Sequence, residues 1–224
     1  MAHYFTLVAS LPALPYFAQA KRVPINRERL DERLGMLNPS DLEEARRAED
    51  FLTWQRQPEH RTDTEVMEAY DRVLRGARSV TLRKMVTDRL RRRTMQVELR
   101  RRHVGAQPPE PKDGWGPPGL LFTIRRNWSR PDFGLNAVHP WILPMVEHLK
   151  TENAIALERL LMENSWRSLD RLMARERPKF SFDSVLIYLF QWDILSRWVS
   201  YDPATAQERF DSLVEEAWDG LAAS

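Results

Sequence analysis

Apolar residues along this chain recur mostly at intervals of three and four, the period of an α-helix that buries one stripe. Leu42, Ala45, Phe51, Leu52 and Trp54 mark a first such stretch and predict a helix from Asp41 to Gln57. Ser40 or Asp41 is suited to cap it, and Glu43 and Glu44 favour the positive end of its dipole. Val66, Ala69, Tyr70 and Val73 predict a second helix over Asp63–Leu74, with Gly76 to end it. The longest candidate runs from Ser79 to His103. There Leu82, Val86, Leu90 and Val97 form a narrow apolar line, arginines take much of the remaining surface, and Gly105 is a natural stop.

Regularity then breaks. The stretch "AQPPEPKDGWGPPGLL", Ala106 to Leu121, holds five prolines and three glycines, which reads as a linker or exposed excursion. "NWSRPDFGLNAVHPWILP" continues the irregular path, with aromatics that suggest it is packed down. Helical spacing returns at Thr151–Asn164 with Ile155, Leu157, Leu160 and Leu161, and a further turn or helix from Ser165 carries Trp166, Leu169, Leu172 and Met173. "FDSVLIYLFQWDILSRWVS", Phe182 to Ser200, is apolar almost all round, so it predicts a buried central helix with Asp183 as its N-cap. Asp202-Pro203 resembles an N-cap followed by proline at the first helical position. Phe210, Leu213, Val214, Ala217 and Leu221 then form the clearest amphipathic pattern in the sequence. The expected fold is mainly α: a helical lobe over residues 1–105, a linker over 106–121 and a second lobe over 122–224, or one continuous domain.

The opening "HYFTLVASLPALPYFAQAKR" admits two readings, since Ala18-Gln19-Ala20 has the small-x-small form of a signal-peptide cleavage site. Pro12 and Pro15 interrupt the apolar run, and Lys21-Arg22 follow it instead of leading it, so a packed cytoplasmic segment is the better expectation. The 224 residues contain no cysteine, which removes disulfides, thiolate metal sites and a cysteine nucleophile. No apolar run reaches the ~20 residues needed to cross a bilayer, so no direct membrane insertion is expected.

Net charge is only +2, but its distribution is uneven. Between Arg83 and Arg102 nine Lys or Arg face two acids, an excess of seven positive charges. From Asp202 to Asp219 six acids face Arg209 alone, an excess of five negative charges. Such asymmetry suits a partner of opposite sign. The "RLRRRTMQVELRRRHVG" run could neutralise phosphates, but no aromatic interleaves it to stack bases. Nucleic-acid binding through the Arg-rich helix 83–102 is therefore the alternative reading, and docking of protein the first; Arg91, Arg92, Arg93, Arg100, Arg101 and Arg102 are the candidate partner-binding residues.

Chemistry is hard to find. His3, His60, His103, His139 and His148 form no HExxH or i, i+4 pair, and neither GxxxxGK[ST] nor GxGxxG occurs. Neither a metal nor a cofactor is expected. Asp193, inside the apolar helix, is the one carboxylate of interest; its ordinary reading is pairing with Arg197 at i, i+4 on a polar edge beside Gln191. Most of the eight tryptophans should be core, with Trp115 and Trp218 the two that could anchor a partner. The expectation is a non-enzyme whose apolar side chains join helices to each other and to neighbouring proteins, leaving no pocket for transforming a small molecule.

Four ordered stretches carry a resemblance. "YFTLVASLPAL", "LRRRTMQVELRRRHVG", "RPDFGLNAVHPWI" and "FDSVLIYLFQWDILSRWVSYDPATAQERFDSLVEE" are similar to a bacterial family of unknown function encoded beside V/A-type ATPase genes. In the last, Leu186, Tyr188, Leu189, Ile194, Leu195 and Trp198 hold the corresponding places. The middle loop is richer in proline than that family's pattern. The resemblance implies kinship with the C subunit of A-type ATPases (d in vacuolar enzymes), an all-helical funnel that links the membrane rotor ring to the central stalk without catalytic residues of its own. It further implies a cytoplasmic protein held at the membrane periphery through the ATPase complex, with rotor ring and central stalk as partners.

Overall fold

A computed structural model describes residues 4–53, 63–110, 115–176 and 179–200. Within them lie α1 (Phe5–Ser10), a 3-10 turn (Phe17–Gln19), α2 (Arg27–Leu34), α3 (Pro39–Leu52), α4 (Asp63–Gly76) and α5 (Val80–His103). These are followed by α6 (Pro118–Arg126), α7 (Ile142–Lys150), α8 (Ala154–Arg175) and α9 (Phe182–Ser200). The described residues contain no strand, and the mainly helical expectation holds.

Local chemistry accounts for most boundaries and corrects several expected ones. The cap of α3 is Asn38, not Ser40 or Asp41: its side chain accepts the Asp41 amide at 2.8 Å, with Pro39 supplying the preset φ of the first turn. Ser79 caps α5 by accepting the Leu82 amide at 2.8 Å, and Gly105 ends it at φ +79°, a left-handed turn that glycine adopts without strain. The expected break at Ser165 is absent. Asn164-Ser165 carries no proline or glycine, the Ser165 hydroxyl folds back on the Leu161 carbonyl at 3.0 Å, and α8 runs unbroken to Arg175. Ser181, not Asp183, caps α9 by accepting the Ser184 amide at 3.1 Å. Asp183 instead accepts the Ser79 hydroxyl at 2.5 Å, tying the starts of α5 and α9 together. Pro118 to Leu121, the end of the Pro/Gly-rich stretch, already form the first turn of α6. Trp54, His60, Trp218 and the amphipathic stretch 202–221 lie outside the described residues.

A large core gathers α1 to α5, α8 and α9 around Leu30, Ala48, Val86, Leu186 and Ile187, all fully buried. A second core joins α5 to α6 and α7 through Met95, Leu99, Ile124, Phe133 and Met145. A third packs Phe17 against Trp166 and Leu195. The apolar α9 is indeed central: it contacts α8, α3, α5 and the 3-10 turn. The opening segment is packed against it, with the Tyr4 amide donating to Phe180 O at 2.7 Å and the Tyr188 hydroxyl donating to Pro12 O at 2.9 Å. Trp192 Nε1 also donates to Ile25 O at 2.7 Å. Among the described residues, no helix is long and apolar enough to cross a membrane.

Candidate partner-binding cleft

The site follows from how α5 turns its apolar face. At about 100° per residue, Leu82, Met85, Val86 and Leu90 share one side of the helix, while Met95, Glu98 and Leu99 lie on the opposite side. The first half faces the large core; the second faces the core of α6 and α7. From Arg89 onward the side that had been core is taken over by Arg89, Arg93, Gln96 and Arg100, spaced four, three and four apart and therefore in one row. This row looks into a cleft.

Helices α5 and α8 each pack on α7 and α9 but make little direct contact with each other. The gap between them is a cavity of about 490 Å³. Its polar wall is Arg89, Arg92, Arg93 and Arg100 of α5 with Arg197 of α9, opposed by Asp88, Glu158 and Asp193. Its apolar wall includes Leu161, Met162, Leu169 and Leu172 of α8 and Phe190 and Ile194 of α9. A cleft in which ionisable side chains converge was not expected from the sequence.

Charge in the cleft is held under tension. Burial, and then the Arg197 charge, lower the Arg89 pKa. Burial and then Arg89 bring Arg92 to about 10, still cationic at neutral pH. Arg197 does not pair with Asp193 as expected; its Nη2 sits 2.5 Å from Glu158 Oε1, bridging α9 to α8. Gln191 turns away as well, donating to Asp170 Oδ1 at 2.7 Å. Asp193 forms no ion pair with a described residue, and burial pushes its carboxyl up to about 6 despite Arg89 and Arg197 nearby. A second cavity of about 330 Å³ shares Asp88, Arg92 and Ser168 with the first and adds Arg91, His139, Arg167 and Arg171. Burial and then Arg91 lower the His139 pKa.

The six candidate arginines face three ways. Arg92, Arg93 and Arg100 line the large cleft, and Arg91 lines the second cavity with Arg92. Arg101 lies 4.6 Å over the Trp115 ring, and Trp115 Nε1 donates to the buried Glu98 at 2.7 Å. Arg102 donates to the carbonyls of Trp128, Arg130 and Pro131 and stacks 4.3 Å over Phe133. The last two brace the fold. Arg89, Arg197 and Glu158 belong to the cleft and were not among the candidates; the Arg89–Arg93–Gln96–Arg100 spacing is the signal that marks the row, whereas the other two come from distant helices. Among the described residues, no cluster of three His, Asp or Glu could hold a metal ion.

The arrangement suits a ligand that is acidic on one side and apolar on the other. No family model, curated protein or solved structure matches the chain.

Proposed function

We propose that this chain is a non-catalytic coupling or assembly subunit of a V/A-type rotary ATPase, similar to the C subunit of A-type enzymes (d in vacuolar ones) that links the membrane rotor ring to the central stalk. It would act in the cytoplasm, peripheral to the membrane through that complex. Two lobes meeting along α5 would give the funnel-like body that such a role requires. The observation that carries the reading is the arginine-lined cleft between α5 and α8, a receptor for an acidic, partly apolar element of a neighbouring protein in the complex. Described residues of all four stretches that resemble the ATPase-associated family take part in the packed body. The opening segment and α9 clamp one another, α5 carries the arginine row, and the turn Asp132–Gly134 presents the buried Phe133 beneath the Arg102 guanidinium.

Copurification of the native assembly with identification of every chain tests the proposal. Ring and central-stalk proteins are expected with the wild type. The variant Arg91→Glu/Arg93→Glu/Arg100→Glu should lower their recovery about tenfold or more, with helical content unchanged. Recovery without any other ATPase component removes the reading. Nucleic-acid binding by helix 83–102 has less behind it, because Arg101 and Arg102 are engaged in internal contacts and the rest do not form one outward face. A salt titration with duplex and single strands decides it: absence of binding at low salt ends that alternative.

A further inference from the structure

We propose that the second cavity, enclosed by α5, α7 and α8, binds a small phosphate monoester, with arginines on the phosphoryl group and an apolar wall against the organic part. The ATPase proposal uses the larger cleft, and this inference does not rest on it.

Helical spacing places the charged groups on two walls. Arg91 and Arg92 of α5 stand three and four residues after Asp88, so all three share one side of that helix. On α8, Glu163, Arg167 and Arg171 are four apart, with Asn164 and Ser168 beside them on the same side. His139 and Trp141, on the approach to α7, make the third wall, their rings edge to face with centroids 6.3 Å apart. The enclosed volume is about 330 Å³. That lies at the lower end of small-ligand pockets, about 300–1,000 Å³, and is too small for a helix of a partner protein.

Charge then selects the ligand. Four arginines meet two acids in this cavity, an excess of two positive charges. Glu163 is already engaged by Arg167 at 2.6 Å, which leaves Asp88 as the other acid among the described lining residues. Arg91, Arg92 and Arg171 form no hydrogen bond or ion pair with a described residue. Burial and then Arg89 lower the Arg92 pKa, and burial and then Arg91 lower that of His139, so both groups sense positive charge that the acids do not cancel. A phosphate monoester carries about 1.5–2 negative charges at neutral pH and three terminal oxygens, which guanidinium forks grip through paired N–H donors. A carboxylate or a sulfate ester brings a single negative charge and leaves part of the excess uncompensated. Asn164 and Ser168 add neutral hydrogen-bonding groups. Pro140, Trp141, Pro144 and Leu160 form an apolar side that free phosphate would leave bare.

Calorimetric titration of the full-length protein at neutral pH tests the site with three probes: phenyl phosphate, phenyl sulfate and inorganic phosphate. Phenyl phosphate should bind with a dissociation constant of about 0.1 mM or below. It should bind about tenfold tighter than phenyl sulfate, which has a similar shape and less charge, and about tenfold tighter than inorganic phosphate, which lacks the apolar part. Arg91→Gln and Arg171→Gln, both at exposed positions, should each weaken phenyl phosphate about tenfold. Arg33→Gln, exposed on α2 and outside the cavity, should leave it unchanged. Asp88→Asn should tighten it about threefold or more by removing the competing carboxylate, a gain that misfolding cannot imitate. Absence of binding at about 10 mM phenyl phosphate, equal affinity for either of the other probes, or indifference to both cavity arginines would overturn the inference. None of these outcomes bears on the ATPase proposal, which copurification decides.

Discussion

Asp193 sits where ionisation is penalised by burial, and the sign of its effect on stability follows from that. Its folded carboxyl titrates near 6 against an ordinary 3.8. Below about pH 4 it is protonated in both states and costs nothing. As pH rises towards 6 the unfolded chain gives up its proton first, so folding loses about 1–3 kcal/mol, and the loss stays constant above. Asp193→Asn should therefore raise Tm at pH 7.5 by roughly 3–8 °C, with the gain closing as pH approaches 4. Thermal melts over that range check it; a pH-independent difference would refute the titration. A second buried carboxylate is surrounded by donors. Glu44, also buried, accepts the Arg78 and Ser79 amides at 2.9 and 3.0 Å and Arg78 Nε at 3.1 Å. It is a charge placed at the amino end of α5, where the dipole and three donors welcome it. Both residues were visible in the sequence as acids near helices. Only the structure separates a carboxylate held by three donors from one left facing a cleft, because the donors come from residues more than thirty positions away.

Helices were legible where their signals are local. The Ser79 cap, the Gly105 stop and the apolar lines of α4 and α9 need nothing beyond their own residues and neighbours. Elements whose form depends on a partner were not. The Pro/Gly-rich stretch reads as open chain, yet Gly116 is buried against α5: a Cβ there would lie 2.4 Å from Thr94 Oγ1 and 2.6 Å from its Cγ2. Gly116→Ala should cost about 1–3 kcal/mol through this overlap, and Thr94→Ala should recover most of it in the double variant, since it removes both offending atoms. Urea denaturation of the four proteins reads the coupling; additive costs would mean that the contact is not the cause. The cleft was illegible for the same reason. A row of arginines looks alike whether it meets water or α8, and only the spacing of helices decides.

At the scale of the molecule, the two ends of the described chain hold each other. Tyr188 reaches Pro12 O, Trp192 reaches Ile25 O, and the Tyr4 amide reaches Phe180 O. Burial pushes the Tyr188 hydroxyl up to about 12, so this donor keeps its proton across the usable pH range. Tyr188→Phe should cost about 1 kcal/mol. Its signature should be faster hydrogen exchange at amides of residues 4–25, with α6 and α7 unchanged; uniform acceleration would mean that the opening segment is no separate unit.

This clamp also sets a clock on biosynthesis. The residues that Tyr188 and Trp192 grip emerge from the ribosome 176 and 167 positions before them. At about 5–20 residues per second, the opening segment waits roughly 10–35 s before its seat exists. Leu7 and Phe17, both destined for full burial, spend that interval without their native cover. The newborn chain is thus most vulnerable to chaperone capture or clumping early, and slowing translation before α9 should lower the yield of folded protein.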